Sequence, residues 1–178
     1  MKFLFCNHFK YDIIRVIGGN HMKKLLLSLF VGLFLMGCGP SYERSTEMGS
    51  LNVITIEDVH ERMENKETFM FMFTQETCVN CQAFKEEVLS SYIKDHGFEY
   101  NEIILSKDMD TDPIYAFVEE HPNPEDMLPE GDYSIYDVLT PTFYFVENGE
   151  VKDIYVGGDM TTKKFDEYIQ KYQLDEVK

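Results

Sequence analysis

The chain has 178 residues, enough for one domain with an appendage, and 44% hydrophobic and 14% aromatic residues supply a real core. Its formal net charge is −16, and Lys2, Lys10, Arg15, Lys23 and Lys24 all fall within residues 1–37 beside a single Asp12, so the rest is more acidic still. Such a surface repels phosphate backbones, which excludes nucleic acid as a partner.

Residues 1–21 fit no targeting pattern. Translation starting at Met22 accounts for them, leaving 1–21 untranslated or dispensable. Met22-Lys23-Lys24 opens a short basic segment, and Leu25–Met36 is apolar apart from Ser28. Its 12 residues fall short of the roughly 20 that a spanning helix wants and fit the apolar core of a secretory signal. Gly37-Cys38 then ends the apolar run directly. Over residues 22–38 the pattern resembles the bacterial lipoprotein signal, with Met36 bulkier than the small residue usual there. That resemblance implies removal of 22–37, lipidation of Cys38 and anchoring on the extracytoplasmic face of the cell membrane. Residues 39–52, polar and rich in Gly and Ser, read as a flexible tether, so the folded domain is expected over 53–178.

Val53–Ile56 is a short β-branched run that suits a first strand, and Glu57–Lys66 a helix with acids in its first turn. Thr68–Phe73 is continuously apolar, as in a strand buried on both faces of a parallel sheet. A helical pattern runs from Cys81 to about Lys94, with Phe84, Val88, Leu89 and Tyr92 on one face. Glu99–Leu105 is the next strand and Pro113–Glu120 a helix with proline in its first turn. Residues 121–132, with three prolines and four acids, form a loop, and Tyr133–Leu139 suits a short helix. Thr142–Val146 and Val151–Val156 flank Asn148-Gly149 as a hairpin. Gly157-Gly158 breaks the chain before a last amphipathic helix over Thr161–Tyr172. The order β-α-β-α-β-α-β-β-α implies an α/β fold with a mixed central sheet flanked by helices.

Cys78-Val79-Asn80-Cys81 stands where the apolar strand meets a helix. Cysteines three apart on a first helical turn share a face and lie near enough to bridge. The first thiol meets the unpaired N–H groups and positive dipole end of the helix, which favour thiolate. Cys78 is therefore the expected nucleophile, and Cys81, deeper in the helix, resolves the mixed disulfide. Of the four cysteines, Cys6 falls in the untranslated stretch and Cys38 is the lipid anchor, so the pair stands alone. A CxxC is also half a zinc site, but His60, His96 and His121 show no paired ligand spacing. Neither metal nor cofactor is expected.

Together Phe71–Phe84, Thr140-Pro141-Thr142, the Asn148-Gly149 hairpin and the Gly157 break resemble the thioredoxin-like thiol–disulfide oxidoreductases, over roughly residues 53–175. The resemblance implies a cis Pro141 beside the CxxC, with Thr140 and Pro141 binding the backbone of a substrate peptide. Thr77, Val79 and Asn80 form the active-site loop, with Thr77 in place of the usual Trp and Val79-Asn80 in place of Gly-Pro. Met72 takes the position of a buried acid that assists the resolving cysteine, and Glu76 is expected to be too exposed to replace it. These departures suit an extracytoplasmic specialist, a monomer acting on an exported protein or peptide with cysteines and exchanging electrons with a membrane donor or acceptor. The direction of electron flow stays open. The absence of His between the cysteines favours a reductant or isomerase. The alternative is a membrane-tethered binding or chaperone module whose cysteines do not turn over.

Overall fold

The computed structural model describes residues 42–106 and 109–177. Residues 1–21, the expected signal segment 22–37 and Cys38 lie outside them. Five strands, β1 (Ser50–Val53), β2 (Phe69–Gln75), β3 (Glu99–Leu105), β4 (Thr142–Glu147) and β5 (Glu150–Val156), form one sheet in the order β1-β3-β2-β4-β5. The first three strands run parallel, while β4 is antiparallel to β2 and β5 to β4. The expected mixed sheet is therefore present, with β2 at its centre.

β2 is apolar from Phe69 to Phe73 because helices cover both faces of the sheet. Met70 and Met72 point to one face with Tyr100, Phe143 and Phe145. There they meet α2 (Val79–Phe84), a π-turn (Lys85–Leu89), α3 (Ser90–Tyr92) and α5 (Thr162–Lys171) through Phe84, Val88, Leu89, Tyr92, Phe165 and Ile169. Phe69, Phe71 and Phe73 point to the other face, onto α1 (Ile56–Glu64) and α4 (Asp112–Glu120) through Ile56, Val59, Ile114 and Phe117. Side-chain alternation along a strand sends neighbours to opposite faces, so a strand covered on both needs apolar residues at every position. Aromatic contacts tie each layer together: Phe71 stacks on Tyr144 of the neighbouring strand with ring centroids 4.9 Å apart, and Phe84 of α2 meets Phe143 of β4 edge-on at 4.8 Å.

The hairpin turns as its Asn-Gly pair predicts, with φ of 53° at Asn148 and 79° at Gly149. A Cβ on Gly149 would also lie 2.1 Å from the Met63 carbonyl oxygen, so glycine is required twice over.

Three expectations are corrected. The first strand is Ser50–Val53 and not Val53–Ile56, because Thr55 caps the following helix. Its hydroxyl accepts from the Asp58 N–H and the Asp58 carboxylate accepts from the Thr55 N–H. The segment expected as tether is folded from Tyr42 onward. Arg44 donates to Asp175 at 2.7 Å and to Asp166 at 2.6 Å, Tyr42 donates to Asp175 at 2.6 Å, and β1 pairs with β3. Polar composition there marks an ion-paired strap across the C-terminal end of the chain. Finally, Tyr133–Leu139 is not helical. The Asp137 carboxylate captures the Ser134 N–H, and the buried Asn123 amide donates to the carbonyls of Ile135 and Asp137, so groups a helix would pair internally are already taken.

The Asp175 side chain is 0% exposed, so removal of Arg44 strands a buried carboxylate. Arg44→Ala is expected to cost about 3 kcal/mol, read as a lower urea midpoint. Asp166 adds a pH dependence. Burial alone would raise its carboxyl, but hydrogen bonds from Tyr92 and Arg44 bring it below the ordinary value. A depressed folded value stabilises the fold above the unfolded pKa of about 3.9. That contribution is lost as pH falls through the folded value, and the difference between wild type and Arg44→Ala narrows over the same range.

Candidate active site

β2 ends at Gln75 and a turn follows, closed by the Cys78 N–H donating to the Gln75 carbonyl at 3.0 Å. Cys78 is the N-cap of α2, with extended backbone (φ −77°, ψ 103°), and its Sγ accepts from the Cys81 N–H at 3.1 Å. Sulfur thus takes the place that a Ser or Asp oxygen holds in other helices, and a helix N–H aimed at it favours the thiolate once the bond is reduced. Cys78 and Cys81 are joined as a disulfide with Cα atoms 5.3 Å apart. The two sulfurs differ in access. Cys81 is 1% exposed, in the core with Phe84, whereas Cys78 is half-buried at its edge. Val79 between them is 76% exposed, and Thr77 and Asn80 are also at the surface.

The Thr140-Pro141 bond is cis, as the resemblance implied, and Pro141 is buried with Thr140 half-buried beside it. The Pro141 carbonyl accepts from the Gly157 N–H at 3.0 Å. The next residue, Gly158, abuts Asn80 so closely that a Cβ there would lie 2.6 Å from the Asn80 Cγ. Through these contacts the start of β4, the break after β5 and the CxxC loop form one surface around Cys78, and Gly158 is small because the loop passes over it. Met127, from the acidic segment before β4, packs against the same core layer as Cys78.

Met72 is fully buried on the face that carries Cys81, and Glu76 is exposed as expected. Two charged residues behind Cys81 were not singled out in the sequence. Glu102 pairs in register with Met72 across β2 and β3, and its Oε2 meets the Lys85 Nζ at 2.5 Å. Cys81 and Lys85 also share the lining of a cavity of about 250 Å³ with Thr74 and Ile104. The available signal was Glu102 itself, an acid between Tyr100 and Ile104 at the inward period of a strand. His60, His96 and His121 are not brought to the cysteines. His60 meets Phe117 edge-on and His121 lies tilted against it on the opposite layer, and His96 stacks on Tyr92 at the far end of the helical segment.

The arrangement is a dithiol–disulfide site at the carboxyl end of the central strand of a thioredoxin-like fold. The model of the thioredoxin-like domain family matches residues 57–173, and the chain belongs to that family. No curated protein sequence matches the chain. Among solved structures, the chain is similar to the thioredoxin of Malassezia sympodialis (18% identity over 73% of this chain and 96% of that one, TM-score 0.46). It is also similar to oxidised thioredoxin O1 of Arabidopsis thaliana (16% identity over 72% and 100%, TM-score 0.43).

The difference in access predicts an order of reaction. After reduction, Cys78 is expected to be alkylated by iodoacetamide at least about tenfold faster than Cys81, as read by peptide mass spectrometry. Equal rates would contradict the assignment of Cys78 as the attacking thiol.

Proposed function

We propose that the chain is an extracytoplasmic, membrane-anchored thiol–disulfide oxidoreductase acting on cysteines of exported proteins or peptides. The observation that carries the redox part is the Cys78–Cys81 disulfide, with one sulfur reachable at a helix start and the other enclosed. A reachable thiolate attacks a substrate disulfide and forms a mixed disulfide. The enclosed thiol, held three residues on, displaces the substrate before a second molecule can intervene. Thr140 and Pro141 edge this surface, where an extended substrate segment would lie. The exposed Val79 offers an apolar contact at its rim.

The location rests on sequence. The basic Met22-Lys23-Lys24, the apolar Leu25–Met36 and Gly37-Cys38 support export and lipidation at Cys38, and a compartment outside the cytoplasm favours substrates with disulfides. The strongly acidic chain suits partners with basic surfaces. The electron donor or acceptor would then be a membrane protein.

Equilibration with glutathione followed by thiol trapping is expected to show a reversible two-electron transition within about −270 to −120 mV. Insulin disulfide exchange should be lost in Cys78→Ala. Absence of the transition would leave a redox-inactive binding module. Separately, metabolic labelling of the full chain with a radioactive fatty acid should mark the wild type and fail in Cys38→Ser. Equal labelling of both would remove the anchor from the proposal.

A further inference from the structure

The resolving step needs Cys81 as a thiolate, and the site around Cys81 is poorly suited to one. The residue is almost fully enclosed, and burial in apolar surroundings disfavours thiolate. β2 brings Met70, Met72 and Thr74 to this face and β4 brings Phe143 and Phe145, none of which ionises. From β5, the connection after it and α5 come Tyr155, Asp159 and Lys164, which bond to one another. The loop contributes Glu76, whose exposed negative charge opposes a second one. β3 contributes Tyr100, whose hydroxyl is on the Met72 sulfur, and Glu102.

The basic residue that shares a cavity with Cys81 is Lys85. It follows Cys81 by four residues, one helical turn, and both line the cavity of about 250 Å³, which has room for several waters at about 30 Å³ each. Lys85 keeps 35% of its side chain exposed, whereas that of Glu102 is 13% exposed. The Glu102 Oε2 is inaccessible to solvent and meets the ammonium at 2.5 Å as an ion contact, without the alignment of a hydrogen bond. Glu102 is held in turn by the β2–β3 ladder opposite Met72. Lys85 borders the cavity shared with the thiol, as the exposed Glu76 does, and Glu102 does not, so the cation is the member of the pair on the thiol's side.

We propose that Lys85, seated by Glu102, is the charge that favours the Cys81 thiolate for attack on the Cys78 sulfur of the mixed disulfide. The inference rests on the oxidoreductase reading. In the step itself, Cys81 S⁻ forms the bond to the Cys78 Sγ and the bond from Cys78 to the substrate sulfur breaks. The substrate leaves as a thiolate, reduced, and the Cys78–Cys81 pair is oxidised. Lys85 and Glu102 touch no substrate. They are positioning residues, and their effect is a shift in the titration of Cys81.

The test is the pH titration of Cys81 in the full chain, read from thiolate ultraviolet absorbance. The difference between Cys78→Ser and Cys78→Ser/Cys81→Ser isolates this thiol, and no turnover is required. Added to Cys78→Ser, Lys85→Gln keeps an amide donor for Glu102 but loses the charge. It is expected to raise the Cys81 midpoint by about one pH unit, a tenfold loss of thiolate at a fixed pH below both midpoints, while Lys85→Arg stays with the parent. Lys85→Gln/Glu102→Gln leaves no lone buried charge, so it reports if the single variant fails to fold, and it too is expected to titrate higher. A midpoint in folded Lys85→Gln or the double variant that matches or falls below the parent overturns the proposal. So does Lys85→Arg shifting as far as Lys85→Gln. A redox-inactive wild type would instead sink the oxidoreductase reading while leaving this titration intact.

Discussion

The structure depends on enclosing β2 from both sides. Phe69–Phe73 presents a large apolar side chain at every position, each no more than 2% exposed, and each such side chain is worth about 1.5–3 kcal/mol when removed from water. No single layer can hold such a strand. Helices are needed on both faces, and the parallel β3 on one side with the antiparallel β4 on the other satisfies its backbone. Once β2 is central, its carboxyl end opens at the edge of the core, and Cys78 is the first half-buried residue after it.

That placement explains why the two cysteines differ. The chain turns from strand to helix at Cys78, so this residue caps the helix, with its sulfur on a helix N–H. Cys81 is one turn further in and faces the layer built on Phe84 and Val88. Reactivity and enclosure both follow from where the helix begins. The cis bond before Pro141 and the close pass of Gly158 under Asn80 belong to the same surface. They bring two segments about 60 and 77 residues beyond the CxxC into its neighbourhood, in the way that functional loops are carried by a rigid scaffold.

The ends of the domain show a different balance. The strap from Tyr42 to Gly49 has little apolar surface to bury and is held by charge: Arg44 lies between Asp166 and Asp175 and also donates to Tyr92. Ion pairs of this sort contribute less than core burial but leave a large penalty when one partner is removed. The chain from Tyr42 is thereby tied to Asp175 and Val177 near the other end of the domain.

The sequence by itself determined the core strand, the helical face of Phe84, Val88, Leu89 and Tyr92, the Asn148-Gly149 hairpin and the cysteine pair. Each is a local pattern whose period or spacing admits one geometry. Tertiary structure decided what depends on distant partners. The residues 42–52 looked like a tether because their polar groups find partners some 50 to 130 residues away, and Tyr133–Leu139 lost its helix to the side chains of Asn123 and Asp137. Lys85 and Glu102 were illegible for the same reason. One lies on a helix and the other on a strand, and a charged pair behind a buried cysteine exists only once the sheet register sets Glu102 opposite Met72.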